Sequence, residues 1–260
     1  MDWGMKNRLS RIIKPKDGRT VMLAVDHGYF MGPTTGLENI KTMVDPLLRY
    51  ADTLMLTRGG LRNYIDPEKD IPIVLRVSGG TSIINEEHLL HEGTIVDVED
   101  AIRLNVSGVA FSILVGQSFE RDTILGLTAY IDACERYGIP VLAVTAVGKG
   151  LGKDAKYLSL ASRIAAELGA HIVKTYYCEN FEQVVESCPV PIVIAGGKKQ
   201  PEQDALQMAY DAIQAGAIGV DMGRNIFQSS SPVNMMKAVN AIVHKKYTAK
   251  EAYGLFRSQK

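Results

Sequence analysis

Eight short apolar runs recur along the chain at a nearly constant interval, and that spacing leaves few folds open. They begin near Val21 (VMLAVD), Thr53 (TLMLT), Pro72 (PIVLRVS), Gly108 (GVAFSIL), Val141 (VLAVTAV), His171 (HIVKTYY), Pro191 (PIVIAGG) and Ala217 (AIGVDMG). Seven steps separate starts 21 and 217, so the mean repeat is 28 residues. Helical patterns fall between the runs, over Leu37–Tyr50, Val98–Asn105, Phe119–Tyr137, Tyr157–Leu168, Phe181–Ser187 and Gln203–Ala215. Continuously apolar strands alternating with helices imply a parallel sheet covered by those helices. Eight such units in one chain of this length predict an α/β protein, a (β/α)8 TIM barrel, rather than an open sheet. The third connection, Gly79–Val96, is long and only weakly helical.

The 260 residues suffice for one barrel with a large core, and no linker or charge block divides them. The expected organisation is an N-terminal basic segment, 1–20, followed by a single barrel domain, 21–260. The basic segment reads as an amphipathic helix ending in a turn at Lys16-Asp17-Gly18, packed on the barrel's base or on a neighbouring subunit. Twenty-nine basic residues balance twenty-nine acidic ones, which argues against nucleic acid and membrane surfaces as partners. Any bound anion needs a local site. Three cysteines without a CxxC pair, no signal-peptide pattern and no apolar run near the ~20 residues of a membrane span predict a cytoplasmic protein.

In such a barrel the chemistry sits where strands run into their following loops. Polar residues and glycines gather there: Asp26-His27-Gly28, Thr57-Arg58-Gly59-Gly60, Ser78-Gly79-Gly80, Lys174-Thr175-Tyr176, Gly196-Gly197-Lys198-Lys199 and Asp221-Met222-Gly223-Arg224-Asn225. Lys174 stands out, because lysine is almost never buried in an apolar strand without a partner or a task. Burial disfavours the ammonium form and frees the amine to attack carbonyls. Gly196 and Gly197 let backbone amides approach an oxyanion, and Gly223 with Arg224 opens a short helix, Asn225–Gln228; together they predict a phosphate site. Asp26 is expected across the barrel from Lys174, holding its ammonium or shuttling protons. The residues after it, His27 to Phe30, read as loop. His27 orients a substrate hydroxyl or is satisfied by loop backbone. Arg58 meets a substrate anion or closes an ion pair at the rim. No metal is expected: His88 and His91 are spaced for a shared helix face, but no third ligand stands out. Cys178, without an adjacent histidine to activate it, reads as structural.

Val25-Asp26-His27-Gly28, Ile164–Ala170, Val173-Lys174-Thr175, Ala195-Gly196-Gly197 and Val220–Asn225 resemble, in order and over nearly the whole chain, the DeoC-like class I aldolase family, which includes archaeal-type fructose-bisphosphate aldolases. Asp2–Met5, Gly32–Glu38, Thr57-Arg58-Gly59, Lys174–Tyr177 and Gly223–Ser229 are similar to the thiolase branch of that family, in autoinducer-2 breakdown. The resemblance implies a Schiff base on Lys174 and catalytic roles for Asp26 and His27. It also implies phosphate contacts from Gly196, Gly197, Gly223 and Arg224, with no bound cofactor. The implied reaction is transfer of an acetyl group from 3-hydroxy-5-phosphonooxypentane-2,4-dione to CoA, the co-substrate, giving dihydroxyacetone phosphate and acetyl-CoA. A homo-oligomer, a decamer of two pentameric rings, follows from the same resemblance. Family aldolases carry a tyrosine and a Tyr-Pro-Arg-Gly run after strand five; here Thr145–Gly150 stands instead, with Thr145 as a further substrate contact. That departure favours the thiolase branch over cleavage of a sugar phosphate such as fructose 1,6-bisphosphate. A barrel that binds a phosphorylated metabolite without catalysis is the non-enzyme alternative. Lys149, Lys153 and Arg62 are candidate contacts for the CoA phosphates.

Overall fold

The computed structural model of the chain describes all residues except 86, 90, 148–151, 153 and 259–260. Among the described residues, eight parallel strands close into a barrel: β1 Thr20–Ala24, β2 Thr53–Thr57, β3 Ile73–Arg76, β4 Gly108–Val115, β5 Val141–Val147, β6 Ile172–Tyr176, β7 Ile192–Ala195 and β8 Gly219–Met222. They pair in sequence order, and β8 returns to β1 with Val21 opposite Val220. The repeat therefore delivers the predicted (β/α)8 barrel.

Side chains alternate along each strand, and the two resulting sets form two cores. Val21, Leu23, Leu54, Leu56, Val173 and Ile194 face outward against the helices. Met22, Ala24, Met55, Val74, Ala110, Leu142, Ile172 and Val193 fill the lower barrel interior. Helix α1, Trp3–Ile12, closes the floor. Asp2 caps it by accepting from the Met5 amide at 2.7 Å, and Ile12, 1% exposed, joins the interior core. The basic segment thus packs on the barrel's base. At Gly219, a Cβ would lie 1.9 Å from the Thr20 carbonyl oxygen, so only glycine allows β8 to meet β1 there.

The remaining helices are α2 Gly28–Met31, α3 Ile40–Val44, α4 Arg58–Tyr64, α5 Val98–Arg103, α6 Glu120–Glu135, α7 Ala155–Glu167, α8 Phe181–Ser187, α9 Glu202–Gln214, α10 Arg224–Phe227, α11 Pro232–Lys245 and α12 Ala249–Arg257. The helix expected over Leu37–Tyr50 is broken into α3 and a 3-10 turn at Leu48–Tyr50. Pro46 lies at the break, and its missing N–H cannot continue the ladder. The stretch after Asp26, expected as loop, forms the single turn α2. The third connection crosses the barrel mouth, held by a short antiparallel pairing of Ser78–Gly79 with Gly93–Thr94.

Candidate active site

The alternation that fills the floor with apolar groups places polar ones in the layers above it. On β6, Ile172 is followed inward by Lys174 and then Tyr176; on β3, Val74 by Arg76; on β4, Ala110 by Ser112; on β8, Gly219 by Asp221. Lys174, Tyr176, Arg76, Ser112 and Asp221, with Asp26, His27 and Thr145, line a cavity of about 430 Å³ at the C-terminal ends of the strands. Its size is that of a small-metabolite site.

Lys174 lies at the bottom. Its Nζ is 2.9 Å from Oδ2 of Asp221, and both side chains are buried. Burial pushes the Asp221 carboxyl above the usual carboxylate range, and the Lys174 ammonium opposes that push. The carboxylate against the amine is therefore Asp221, where the sequence reading expected Asp26. Asp26 instead accepts from Arg76 Nε at 2.9 Å. Burial acts to raise the Asp26 pKa, but Arg76, His27 and Lys174 outweigh it and hold the group below its ordinary value. Its side chain makes no helix cap, since α2 begins without one.

Arg76 is the hub of the opposite wall. Its Nη1 donates to Ser112 Oγ at 2.7 Å and to Ser78 Oγ at 3.3 Å, and stands 3.8 Å from Glu92. Glu92, returned to the mouth by the third connection, accepts from Ser78 Oγ and Tyr29 Oη, both at 2.5 Å. Arg76, Glu92 and Asp221 were missed as site residues. Arg76 and Asp221 carried the same signal as Lys174, a charge inside an apolar strand. Glu92 carried none, because it lies in a stretch without periodicity.

His27 lines the cavity, and its Nδ1 is buried without a hydrogen-bond partner among the described residues. Burial lowers its pKa to about 4 against the pull of Asp26, with Lys174 and Arg224 adding to the fall. A neutral imidazole at pH 7 suits it to orient a carbonyl or hydroxyl by hydrogen bonding. Loop backbone does not satisfy it.

The other end of the cavity is built from the loops after β7 and β8. Asn225 clamps them together, donating to Gly196 O at 2.6 Å and accepting from the Gln200 amide at 2.9 Å. At Gly223 a Cβ would lie 2.4 Å from the Ala24 carbonyl oxygen and 2.5 Å from the His27 ring, so no larger residue fits. Gly196, Gly197, Lys198, Gly223 and Arg224 all face the cavity, and Arg224 Nε is buried without a hydrogen-bond partner among the described residues. Glycine backbone beside two cationic side chains makes this end suited to a phosphate.

Thr145 also borders the cavity, its hydroxyl donating to the Lys174 carbonyl at 3.3 Å. Arg58 does not: its guanidinium holds Asp100 at 2.8 Å, and Arg62 holds the same carboxylate. Of the two readings open for Arg58, the ion pair is the one observed. His88 and His91 share no helix; the His91 ring stacks on Phe119 and its Nε2 is 3.4 Å from Asp122. Cys178 is buried, and burial raises its thiol pKa. Gly148, Lys149, Gly150 and Lys153 lie outside the described residues.

Residues 20–229 match the DeoC/LacD family aldolases. The chain belongs to that family. Two curated members named 3-hydroxy-5-phosphonooxypentane-2,4-dione thiolase, from Enterobacter sp. strain 638 and Escherichia coli K12, are 56% and 55% identical to it. Each alignment spans this whole chain and 88% or 89% of the relative. Among solved family structures, an archaeal fructose 1,6-bisphosphate aldolase superposes with a TM-score of 0.82 at 27% identity, covering 93% of this chain and 99% of its own. Another archaeal fructose-1,6-bisphosphate aldolase, described with its catalytic lysine covalently bound to the carbinolamine intermediate of the substrate, gives 0.81 at 27% identity. It covers 92% of this chain and 99% of its own.

Proposed function

We propose that this family member transfers the acetyl group of 3-hydroxy-5-phosphonooxypentane-2,4-dione to CoA, releasing dihydroxyacetone phosphate and acetyl-CoA. The observation that carries the chemistry is Lys174, buried at the cavity floor with its amine 2.9 Å from Asp221, with Arg224, whose buried Nε has no hydrogen-bond partner among the described residues, at the far end. The thiolase names of relatives at 55–56% identity support the substrate pair.

The phosphate binds Arg224 and the amides of Gly196, Gly197 and Gly223, and this remote grip positions the ketone beside Lys174. Lys174 gives up a proton to Asp221 and attacks the ketone. Asp221 returns that proton to the carbinolamine hydroxyl, which leaves as water from the same carbon. The iminium then withdraws the electron pair of the C–C bond when CoA sulfur attacks the neighbouring acetyl carbonyl. Neutral His27 hydrogen-bonds a substrate oxygen, Thr145 lies beside the lysine, and ionised Asp26 faces the cationic intermediate. No bound cofactor takes part; CoA is consumed as a co-substrate.

Cleavage of a sugar phosphate is the second reading. It is favoured by the Schiff-base aldolases that share the barrel. It is disfavoured by the end of β5, where Thr145 and Ala146 border the cavity and no tyrosine stands. The three cysteines are all unpaired, which fits a cytoplasmic location, and among the described residues no helix is long and apolar enough to cross a membrane. Trp3, 79% exposed, fits burial in a homo-oligomer such as the expected decamer.

The test is borohydride reduction with dihydroxyacetone phosphate, followed by peptide mass mapping and an assay for CoA-dependent cleavage. A stable adduct on Lys174 with strict CoA dependence is expected. An adduct with cleavage of fructose 1,6-bisphosphate and no CoA dependence would select the aldolase reading. No adduct on folded protein would leave a metabolite-binding barrel.

A further inference from the structure

Glu92 is a buried carboxylate that the steps above do not use. It is 3% exposed, and it is brought beside Arg76 and Tyr29 by the long third connection rather than by a strand. Both of its oxygens are committed as acceptors, Oε1 to Tyr29 Oη and Oε2 to Ser78 Oγ, each at 2.5 Å. Ser78 cannot reverse that bond, since its oxygen already accepts from the Ser112 amide at 2.9 Å and from Arg76 at 3.3 Å. That fixes the Ser78 hydrogen on Glu92 Oε2, and with the carboxylate ionised the Tyr29 proton points at Oε1.

A phenol whose proton is given to a carboxylate offers anything else only its lone pairs. Tyr29 faces the cavity, and it also borders a separate groove of about 300 Å³ running outward past Gly59 and Arg58. Its ring is held on both sides. The Arg76 guanidinium lies 5.3 Å from the ring centre, and Gly79 leaves room beside it, where a Cβ would come within 3.1 Å of the ring. Burial and the Glu92 carboxylate keep the phenol protonated through neutral pH. Tyr29, one of the residues lining the cavity, thus carries a phenol oxygen whose hydrogen is directed at a carboxylate, an acceptor backed by a base.

We infer that Tyr29 and Glu92 form the proton relay for the thiol co-substrate. This rests on the acetyl-transfer reading given above. The S–H bond breaks with its proton passing to Tyr29 Oη, while the Tyr29 proton passes to Glu92 Oε1. The sulfur electron pair forms the bond to the acetyl carbonyl carbon. When the C–C bond breaks, its electron pair enters the iminium to give an enamine, and the proton stored on Glu92 returns through Tyr29 to the enamine carbon. The relay ends as it began. The groove beside Tyr29 gives the thiol arm a way to reach it while the phosphorylated substrate fills the cavity.

The experiment compares wild type, Tyr29→Phe and Glu92→Gln in acetyl transfer from the phosphorylated diketone to CoA between pH 6 and 9.5. Borohydride trapping with dihydroxyacetone phosphate is run on all three. At neutral pH each variant is expected to lose about 10²–10⁴-fold in kcat, the usual worth of a general base. Both variants should still form the Lys174 adduct. Their rates should climb with pH as free thiolate replaces the relay, levelling near the ordinary thiol pKa of about 8.5, while the wild-type rate stays flat across that range. A thiol of lower pKa should rescue the variants more than the wild type. A variant whose kcat and pH profile match wild type, or one that loses the adduct together with its activity, overturns the relay. An absent adduct in the wild-type protein removes the Schiff-base reading itself and the relay with it.

Discussion

Replacing Lys174 or Asp221 alone, and then both, measures how this barrel tolerates a buried ion pair. At 2.9 Å and an effective dielectric of about 20, the attraction is worth about 6 kcal/mol. Removing the two charges from water costs several kcal/mol each, so the pair contributes close to nothing net against an apolar substitute. Each single change leaves the other group without its partner. Asp221→Leu or Lys174→Met alone should therefore lower stability by about 3–5 kcal/mol at pH 7, whereas the double variant should lie close to wild type. The deficit of Lys174→Met should also grow as pH rises from about 4, because a buried carboxyl with its pKa already raised must then ionise with no cation opposite. Urea unfolding gives the four stabilities from the midpoints at constant slope. Effects that add to within about 0.5 kcal/mol would refute the argument, since they would mean that the two side chains do not share a contact.

Two further perturbations test other parts of the molecule. Arg224→Met should raise KM for the phosphorylated ketone by about 10–150-fold, the worth of a hydrogen bond to a charged group, and leave trapping of unphosphorylated dihydroxyacetone unchanged; equal losses for both ligands would take Arg224 out of the phosphate site. At the barrel floor, His244 bridges Asp17 at 2.7 Å and Asp52 at 2.6 Å, and these carboxylates raise its pKa against the opposing effect of burial. A folded-state pKa above the unfolded value near 6.5 stabilises the fold below that pH and loses its effect as pH rises through the folded value. The stability gap between wild type and His244→Gln should therefore be larger at pH 5.5 than at pH 9 in denaturant titrations, and a gap independent of pH would deny the charged bridge.

Much of the active site could be read along the strands once the barrel was recognised. In-and-out alternation is a property of each strand alone, so Lys174, Arg76, Ser112 and Asp221 were all assignable to the interior from their neighbours. Lys174 drew notice because a lysine in HIVKTYY is conspicuous; Arg76 in PIVLRVS deserved the same reasoning. The cavity end proposed to hold the phosphate was legible because glycines and an arginine follow two adjacent strands. The helix expected over Leu37–Tyr50 failed on a local cause, Pro46, which was visible in the sequence.

What the sequence by itself determined is the barrel, the end of it that opens into the cavity and the lysine buried there. The 28-residue rhythm admits one closed architecture, and every strand end then falls on the same side. Only the tertiary structure decided who faces whom. Strand order does not say which of two interior carboxylates stands against Lys174, because that depends on the stagger with which the sheet closes. Closure put Asp221 of β8 beside the lysine and left Asp26 to Arg76. Glu92 depended on tertiary structure still more. It follows β3 by sixteen residues, in a segment without helix or strand rhythm, and is held behind Tyr29 because Ser78, Tyr29 and Arg76 together satisfy its buried carboxyl oxygens.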